Sequence, residues 1–348
     1  MPPMMRGVFF LGPGALELRE VAIPEPGAGE VVVKVEAATT CGTDLKAYRR
    51  GHKLFKPPMP FGHEWAGYIQ AVGEGVSAWR EGDRVTGANS APCNGCFYCR
   101  KGRQQQCLSL ESRFNWGTYA DYVRIPAHIV AQNMHAIPIT LSFAEAAFAE
   151  PLACAVLCTT NAGIQLGDTV AILGVGAQGL MQIQLAKHLG AARVIAIGRA
   201  AGRIERAKQL GADLTLSSLE GDPVVGVKAL TEGRGADVVI EAAGSAETWA
   251  QAVNMTRPGG TAILFSGLPN GTQVTFDAAH LHYGEITTKG IFHHTPRAVE
   301  QAVFMLRSGA VNVKPMIDGT IRLSEVAEGL ERMQRSEAIK LAVMPGLG

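Results

Sequence analysis

Cys93, Cys96, Cys99 and Cys107 fall within the stretch CNGCFYCRKGRQQQC, a C-x2-C-x2-C-x7-C spacing. Four thiolates gathered by tight turns make a closed tetrahedral site for zinc, which favours soft sulfur ligands and imposes no other geometry. Two other chemistries compete for such a spacing. Disulfides need an oxidising compartment, and an iron–sulfur cluster more often shows a C-x2-C-x2-C-x3-C-P run. Here the fourth cysteine comes later and Leu108, not proline, follows it. The spacing therefore predicts a structural zinc that folds a loop.

A second set has fewer soft ligands. Cys41-Gly42-Thr43-Asp44 and Gly62-His63-Glu64 lie about twenty residues apart, and Glu150 precedes Pro151 further on. Alone, His63 reads as a satisfied core histidine and Glu150 as a helix cap. Pro151 disfavours helical geometry at Glu150 and puts it at a helix entrance. Together, a cysteine, a histidine and two glutamates match a catalytic zinc that keeps a place for substrate, with Glu64 a third ligand or an adjacent carboxylate.

A third pattern binds phosphate. Gly174-Val175-Gly176-Ala177-Gln178-Gly179 follows the apolar run TVAIL and opens the run LMQIQLAKHLG, which ends at Gly190. The first glycine permits a tight turn, the second lets the backbone approach a pyrophosphate, and the third allows close helix–strand packing. The helix start then offers free N–H groups and a positive dipole end to the phosphates. The next strand, RVIAIG, ends at Gly198-Arg199, and no acid occurs between Gly174 and Glu205. An acid there would hold the ribose 2′-hydroxyl of NAD. Its absence, with Arg199 and Arg203 just beyond the strand, favours the 2′-phosphate of NADP, which arginine holds bidentately.

The elements that must position these groups fall into two patterns. Up to Glu150 the chain shows short β segments broken by Gly and Pro: Val31 to Thr39, Ala66 to Gly73 and Thr118 to Ile125 are the clearest. Ser142 with Glu145 is a capping box, and Pro151 suits the first turn of the helix that follows. From Thr169, strands and helices alternate through DVVIEAAG and TAILFSG, the signature of a doubly wound parallel sheet. The alternation ends near Ile291. The expected organisation is an α/β chain whose β-rich domain, 1–152, is completed by 291–348, with a dinucleotide-binding domain, 153–290, inserted between.

Composition excludes several roles. With 32 Lys and Arg against 31 Asp and Glu, the net charge of +1 creates no global field for nucleic acid or anionic membrane. The cysteine cluster carries only Arg100, Lys101 and Arg103 as basic residues and no recognition-helix pattern. Pro151 to Gly167 carries Thr159, Thr160, Asn161 and Gln165, so it reads as a buried helix rather than a membrane span. The amino terminus lacks the apolar stretch of a secretory signal. Cys154 and Cys158 read as core residues, and all seven cysteines suit a reducing cytoplasm. His280, His282, His293 and His294 show no recognisable ligand spacing and read as junction or rim residues.

CGTD, GHE, the four-cysteine lobe and GVGAQG, in this order, resemble the zinc-dependent medium-chain alcohol dehydrogenase family over essentially the whole chain. The resemblance implies a GroES-like β-rich catalytic domain and a Rossmann domain. It matches Cys41 and His63 to the family's catalytic zinc ligands and the cluster cysteines to its structural zinc. Glu150 stands where some members place a further cysteine, as in the polyol (sorbitol-like) and threonine dehydrogenase branch, where it and Glu64 share or exchange the third-ligand role. Asp44 resembles the carboxylate that orients the histidine ligand. Lys46 stands where relatives often carry the histidine of a proton relay, so water or His52 would substitute.

The implied reaction moves hydride between a secondary alcohol and a nicotinamide, with Thr43 placed to accept the hydroxyl proton. A polyol or sugar alcohol is the favoured substrate, a threonine-like amino alcohol the second. A metal-free reductase of the same architecture would not need Cys41, His63 and Glu150, and a non-catalytic nucleotide-sensing protein would not need Thr43. By the same resemblance the chain assembles as a dimer or tetramer. Catalytic efficiency measured with both cofactors is expected to favour NADP; a clear preference for NAD would remove the role given to Arg199 and Arg203.

Overall fold

The computed structural model describes residues 2–347. Its contacts divide the chain into two compact units. One comprises the chain through Ala153 and the stretch from His294 onward; the other is Cys154–His293.

The first unit is built on two sheets. In the smaller, Met4–Gly12 pairs with Ala15–Ala22 and with the short Met59–Pro60 segment. In the larger, seven-stranded sheet the order runs Ile317–Ile321, Lys340–Val343, Val31–Thr39, Trp65–Val72, Arg84–Gly87, Met134–Ala136, with Tyr122–Ile125 also paired to Val31–Thr39. The β-branched run of Val31–Thr39 buries nearly every side chain, as a central strand must. It carries the most neighbours and leads directly into Cys41. The carboxy-terminal strand joins it antiparallel, with Ala342 opposite Thr39 and Val343 opposite Ala38. Residues more than three hundred positions apart in sequence thus flank one another. The core between the sheets holds Phe10, Phe61, Trp65, Tyr119 and Ile125, all essentially inaccessible.

Two local expectations shift. The strand expected from Thr118 begins at Tyr122, because Tyr119 and Asp121 instead donate backbone N–H bonds to Phe61 and Arg6 in the neighbouring layer. Glu150 lies within a helix, Ala149–Thr160, rather than before it: Pro151 sits in the first turn, where its missing N–H costs no hydrogen bond. The Ser142–Glu145 capping box forms at the short Phe143–Ala146 helix just upstream.

The second unit is a six-stranded, all-parallel sheet in the order Leu214–Ser217, Arg193–Gly198, Thr169–Leu173, Ala236–Glu241, Thr256–Leu264, Thr287–Gly290. Numbered along the unit this is 3-2-1-4-5-6, the doubly wound Rossmann order. The order reverses beside Thr169–Leu173, so its carboxyl end lies at the switch point where such sheets bind ligands. Five helices, Ala177–His188, Ala201–Gln209, Pro223–Leu230, Ala246–Asn254 and the short Ala278–Tyr283, lie in the five crossovers.

Candidate metal and cofactor sites

The cysteine lobe folds around its sulfurs. A short helix, Phe97–Arg100, and a three-ten turn, Gln104–Gln106, bring the four Sγ atoms within 4.8 Å of one another. Every cysteine is a free thiol. Backbone N–H groups are aimed at the sulfurs: Cys93 donates to Cys107 Sγ and Cys96 to Cys93 Sγ, each at 3.3 Å. Such donors stabilise thiolates, and those of Gly95 and Cys96 push the Cys93 thiol down to about 6. Leu110 and Phe114 pack beneath the cluster. The donor set is that of a closed, all-thiolate zinc site.

The second set is organised by one helix start. Cys41 is the N-cap of the Gly42–Arg50 helix; its Sγ accepts the Thr43 N–H at 3.4 Å, and the Asp44 carboxylate accepts the Cys41 N–H at 3.2 Å. This reciprocal cap fixes Cys41, Thr43 and Asp44 in one turn. Asp44 is fully buried, accepts the Tyr119 hydroxyl at 2.5 Å, and lies 3.1 Å from His63 Nδ1. With Nδ1 facing Asp44, Nε2 is left for a ligand bond. Gly62 sets the angle of entry: its φ is +89°, and a Cβ there would meet the Tyr119 ring and Thr118 Oγ1 at 2.7–2.8 Å.

The ligand atoms of Cys41, His63 and Glu64 also lie within 4.8 Å of one another. Burial by itself would lower the pKa of His63, but Asp44 and Cys41 overcome it and hold the imidazole well above its ordinary value. The concentration of acid groups therefore demands positive charge, and a cation meets that demand. Glu64 is fully buried, and its Oε2 accepts from both Thr39 Oγ1 and Lys340 Nζ. Its Oε1 has no hydrogen-bond partner among the described residues. One oxygen is thus committed to the fold, and the other remains for a metal.

Glu150 stands outside this trio, with Oε1 4.0 Å from His294 Nε2. Burial pushes its carboxyl up to about 7, His63 draws it down, and Glu64 pushes it up again. Burial also drives His294 down to about 3, so that ring is neutral beside it. The geometry therefore gathers Glu64 with Cys41 and His63, and places Glu150 as the next carboxyl.

In the second unit the glycine loop forms as the spacing requires. Gly174 has φ +114°, and a Cβ on it would strike the Ala242–Ala243 backbone at 2.7 Å. A Cβ on Gly179 would lie 1.8 Å from Gly174 O, whereas one on Gly176 would meet nothing within 4 Å. That open space, at the uncapped start of the Ala177–His188 helix, is where a pyrophosphate fits. Ala177 and Gln178 form the first turn. Gly198 ends its strand packed against the loop, since a Cβ there would lie 2.3 Å from Val175 Cγ2. Arg199 beyond it is exposed and Arg203 half-buried. Glu205 turns to Lys208 at 3.5 Å.

Three supporting residues lie outside the sequence motifs. Lys340 is buried, and besides Glu64 its ammonium donates to Thr40 O at 2.7 Å. Tyr119 and Thr39 hold Asp44 and Glu64 from behind. The only sequence signal for Lys340 is one charge inside the apolar run AIKLAV.

Comparison with known proteins gives a concordant result. The family described as alcohol dehydrogenase GroES-like domain matches residues 27–137, and that described as zinc-binding dehydrogenase matches residues 177–308. The chain is 34% identical over 345 residues to an L-threonine 3-dehydrogenase of Bacillus licheniformis, covering 96% of each. It is 30% identical over 356 residues to a sorbitol dehydrogenase of Bacillus subtilis, covering 99% of this chain and 98% of the relative. A putative zinc-binding dehydrogenase from Sinorhizobium meliloti, solved bound to NADP, superposes with a TM-score of 0.91 at 34% identity, covering 99% of this chain and 100% of that one.

Lys340→Met is expected to destabilise the protein by about 3 kcal/mol, because it leaves Glu64 buried without its counter-charge. Glu64→Gln in the same background should recover part of that loss, and urea unfolding of the two single variants and the double variant measures the coupling.

Proposed function

The chain belongs to the zinc-binding alcohol dehydrogenases with a GroES-like domain, and from that premise we propose that it oxidises a secondary alcohol of a polyol or sugar alcohol, passing hydride to NADP. The observation that carries this is the convergence of the Cys41, His63 and Glu64 ligand atoms within 4.8 Å of one another, with Cys41 on the helix start that also presents Thr43. Zinc bound there supplies Lewis acidity that brings the acidity of an alcohol toward neutral pH, and the nicotinamide accepts the hydride.

The chain's own residues do the positioning. Asp44 holds the His63 ring with Nε2 outward, and the Cys41 sulfur is tied by the Thr43 N–H. The half-buried Thr43 hydroxyl accepts the substrate proton and passes it outward, with water or His52 in place of the relay histidine. Glu64 keeps one oxygen on Lys340 and offers the other, with Glu150 as the exchanging carboxyl. Several buried carboxyls around one cation suit a substrate with several hydroxyls. The sorbitol dehydrogenase relative supports this, as does the erythritol/L-threitol dehydrogenase of Mycolicibacterium smegmatis, 31% identical over 364 residues. The NADP preference draws on Arg199, Arg203 and the NADP-bound Sinorhizobium structure. A second reading, a threonine-like amino alcohol, is favoured by the Bacillus licheniformis relative at 34% identity.

The two ligand sets support one catalytic and one structural zinc. Free thiols throughout fit the cytoplasm, and among the described residues no helix is long and apolar enough to cross a membrane. The family resemblance supports a homo-oligomer, dimer or tetramer.

Metal analysis is expected to find two zinc ions per chain. Cys99→Ser should reduce this to one and lower the melting temperature. Thr43→Val should retain both metals and cofactor affinity while lowering kcat by about 100-fold. Steady-state kinetics on a polyol panel checks this, and unchanged turnover would remove Thr43 from the proton path.

A further inference from the structure

Between Asp44 and Glu64 the chain contains no acid, yet it carries Lys46, Arg49, Arg50, Lys53 and Lys56. In a chain with 32 basic and 31 acidic residues, this local excess stands out. Among the described residues, none of these five side chains forms an ion pair. The nearest packed helix, Val326–Gln334, does not neutralise them. Tyr48 reaches Glu331 at 3.4 Å, but Glu328 and Glu331 already face Arg335 at 2.8 and 3.8 Å.

The run is contiguous with the proposed catalytic centre. Lys46 follows Thr43 by three positions on the Gly42–Arg50 helix and so shares its face. His52 packs its ring on Phe55 at 5.8 Å, Phe55 on Trp116 at 4.5 Å, and Trp116 on the His63 ring at 5.5 Å. Arg50 follows Lys46 by four positions on the same helix face, and Lys53 follows His52 directly. Burial lowers the pKa of the half-buried His52, and the charges of Lys46, Lys53 and Arg50 lower it further. Like charges held together without counter-ions repel one another, and a bound anion relieves that repulsion. An ammonium group would add to it.

We infer that the substrate is a polyhydroxy alcohol bearing an anionic group, a carboxylate or a phosphate, which Lys46, Arg50 and Lys53 recognise beside the Cys41–His63 centre. This rests on the dehydrogenase reading above and specifies its substrate class. Arginine matches the planar geometry of either anion bidentately, and the two lysines act as point charges.

The test is steady-state kinetics of the zinc-loaded enzyme with saturating cofactor on matched sets of four- to six-carbon polyols, their aldonates and their terminal phosphates. At low ionic strength kcat/KM is expected to be roughly tenfold or more higher for an anionic member than for its neutral parent, and the gap should shrink in high salt. The Arg50→Gln/Lys53→Gln double variant, at two exposed positions, should collapse the anionic-to-neutral ratio toward one. Lys46→Gln puts the same question from the helix. Which anion gains the advantage separates carboxylate from phosphate. Parity between anionic and neutral substrates, or a gap indifferent to salt and to both variants, overturns the inference while the polyol activity stands. Absence of turnover with every alcohol overturns the dehydrogenase reading and this inference with it.

Discussion

Asp44 is buried with three neighbours that would otherwise move independently: the Cys41 N–H, the Tyr119 hydroxyl and the His63 ring. One carboxylate thereby ties a helix start to the turn after Gly62 and to the segment before Tyr122–Ile125. An isolated buried charge of this kind would be costly, and here hydrogen bonds and the facing imidazole offset the cost. Removing it would loosen the N-cap, leave Tyr119 unpaired and free the His63 ring. The placement of Cys41 and His63 relative to one another depends on this interaction.

Glu64 shows the same principle in a different balance. Its charge is compensated from behind by Lys340, on a strand that reaches Val31–Thr39 only through long-range pairing. The carboxyls of the first unit therefore differ in kind. Asp44 serves a ring, Glu64 divides its oxygens between fold and site, and Glu150 is pushed up to about 7, chiefly by burial. A polar centre can occupy an apolar core because each charge has a distinct neighbour.

Much of this was legible in the residues. The cysteine spacing, the glycine loop and the strand–helix alternation are local patterns, and the Val31–Thr39 strand has the bounds its β-branched run implies. Glu150 falls inside the first turn rather than before it because a proline there is compatible with a helix. The strand starts at Tyr122 rather than Thr118 because Tyr119 is claimed by a neighbouring layer, which no local pattern reveals. Lys340, Tyr119 and Thr39 escaped for the same reason. Their roles come from partners 25 to 300 residues away, and an isolated lysine in an apolar strand has many explanations.

The pairing of Lys340–Val343 with the strand leading to Cys41 has a consequence for biosynthesis. Residues 154–293 leave the ribosome before this pairing partner exists, so the second unit has all its strands while the first still lacks two, Ile317–Ile321 and Lys340–Val343. Until then Glu64 lacks the Lys340 ammonium that faces it in the folded chain. The Cys41–His63 region is thus completed late, whereas the cysteine lobe, local in sequence, needs no strand from the carboxy-terminal segment.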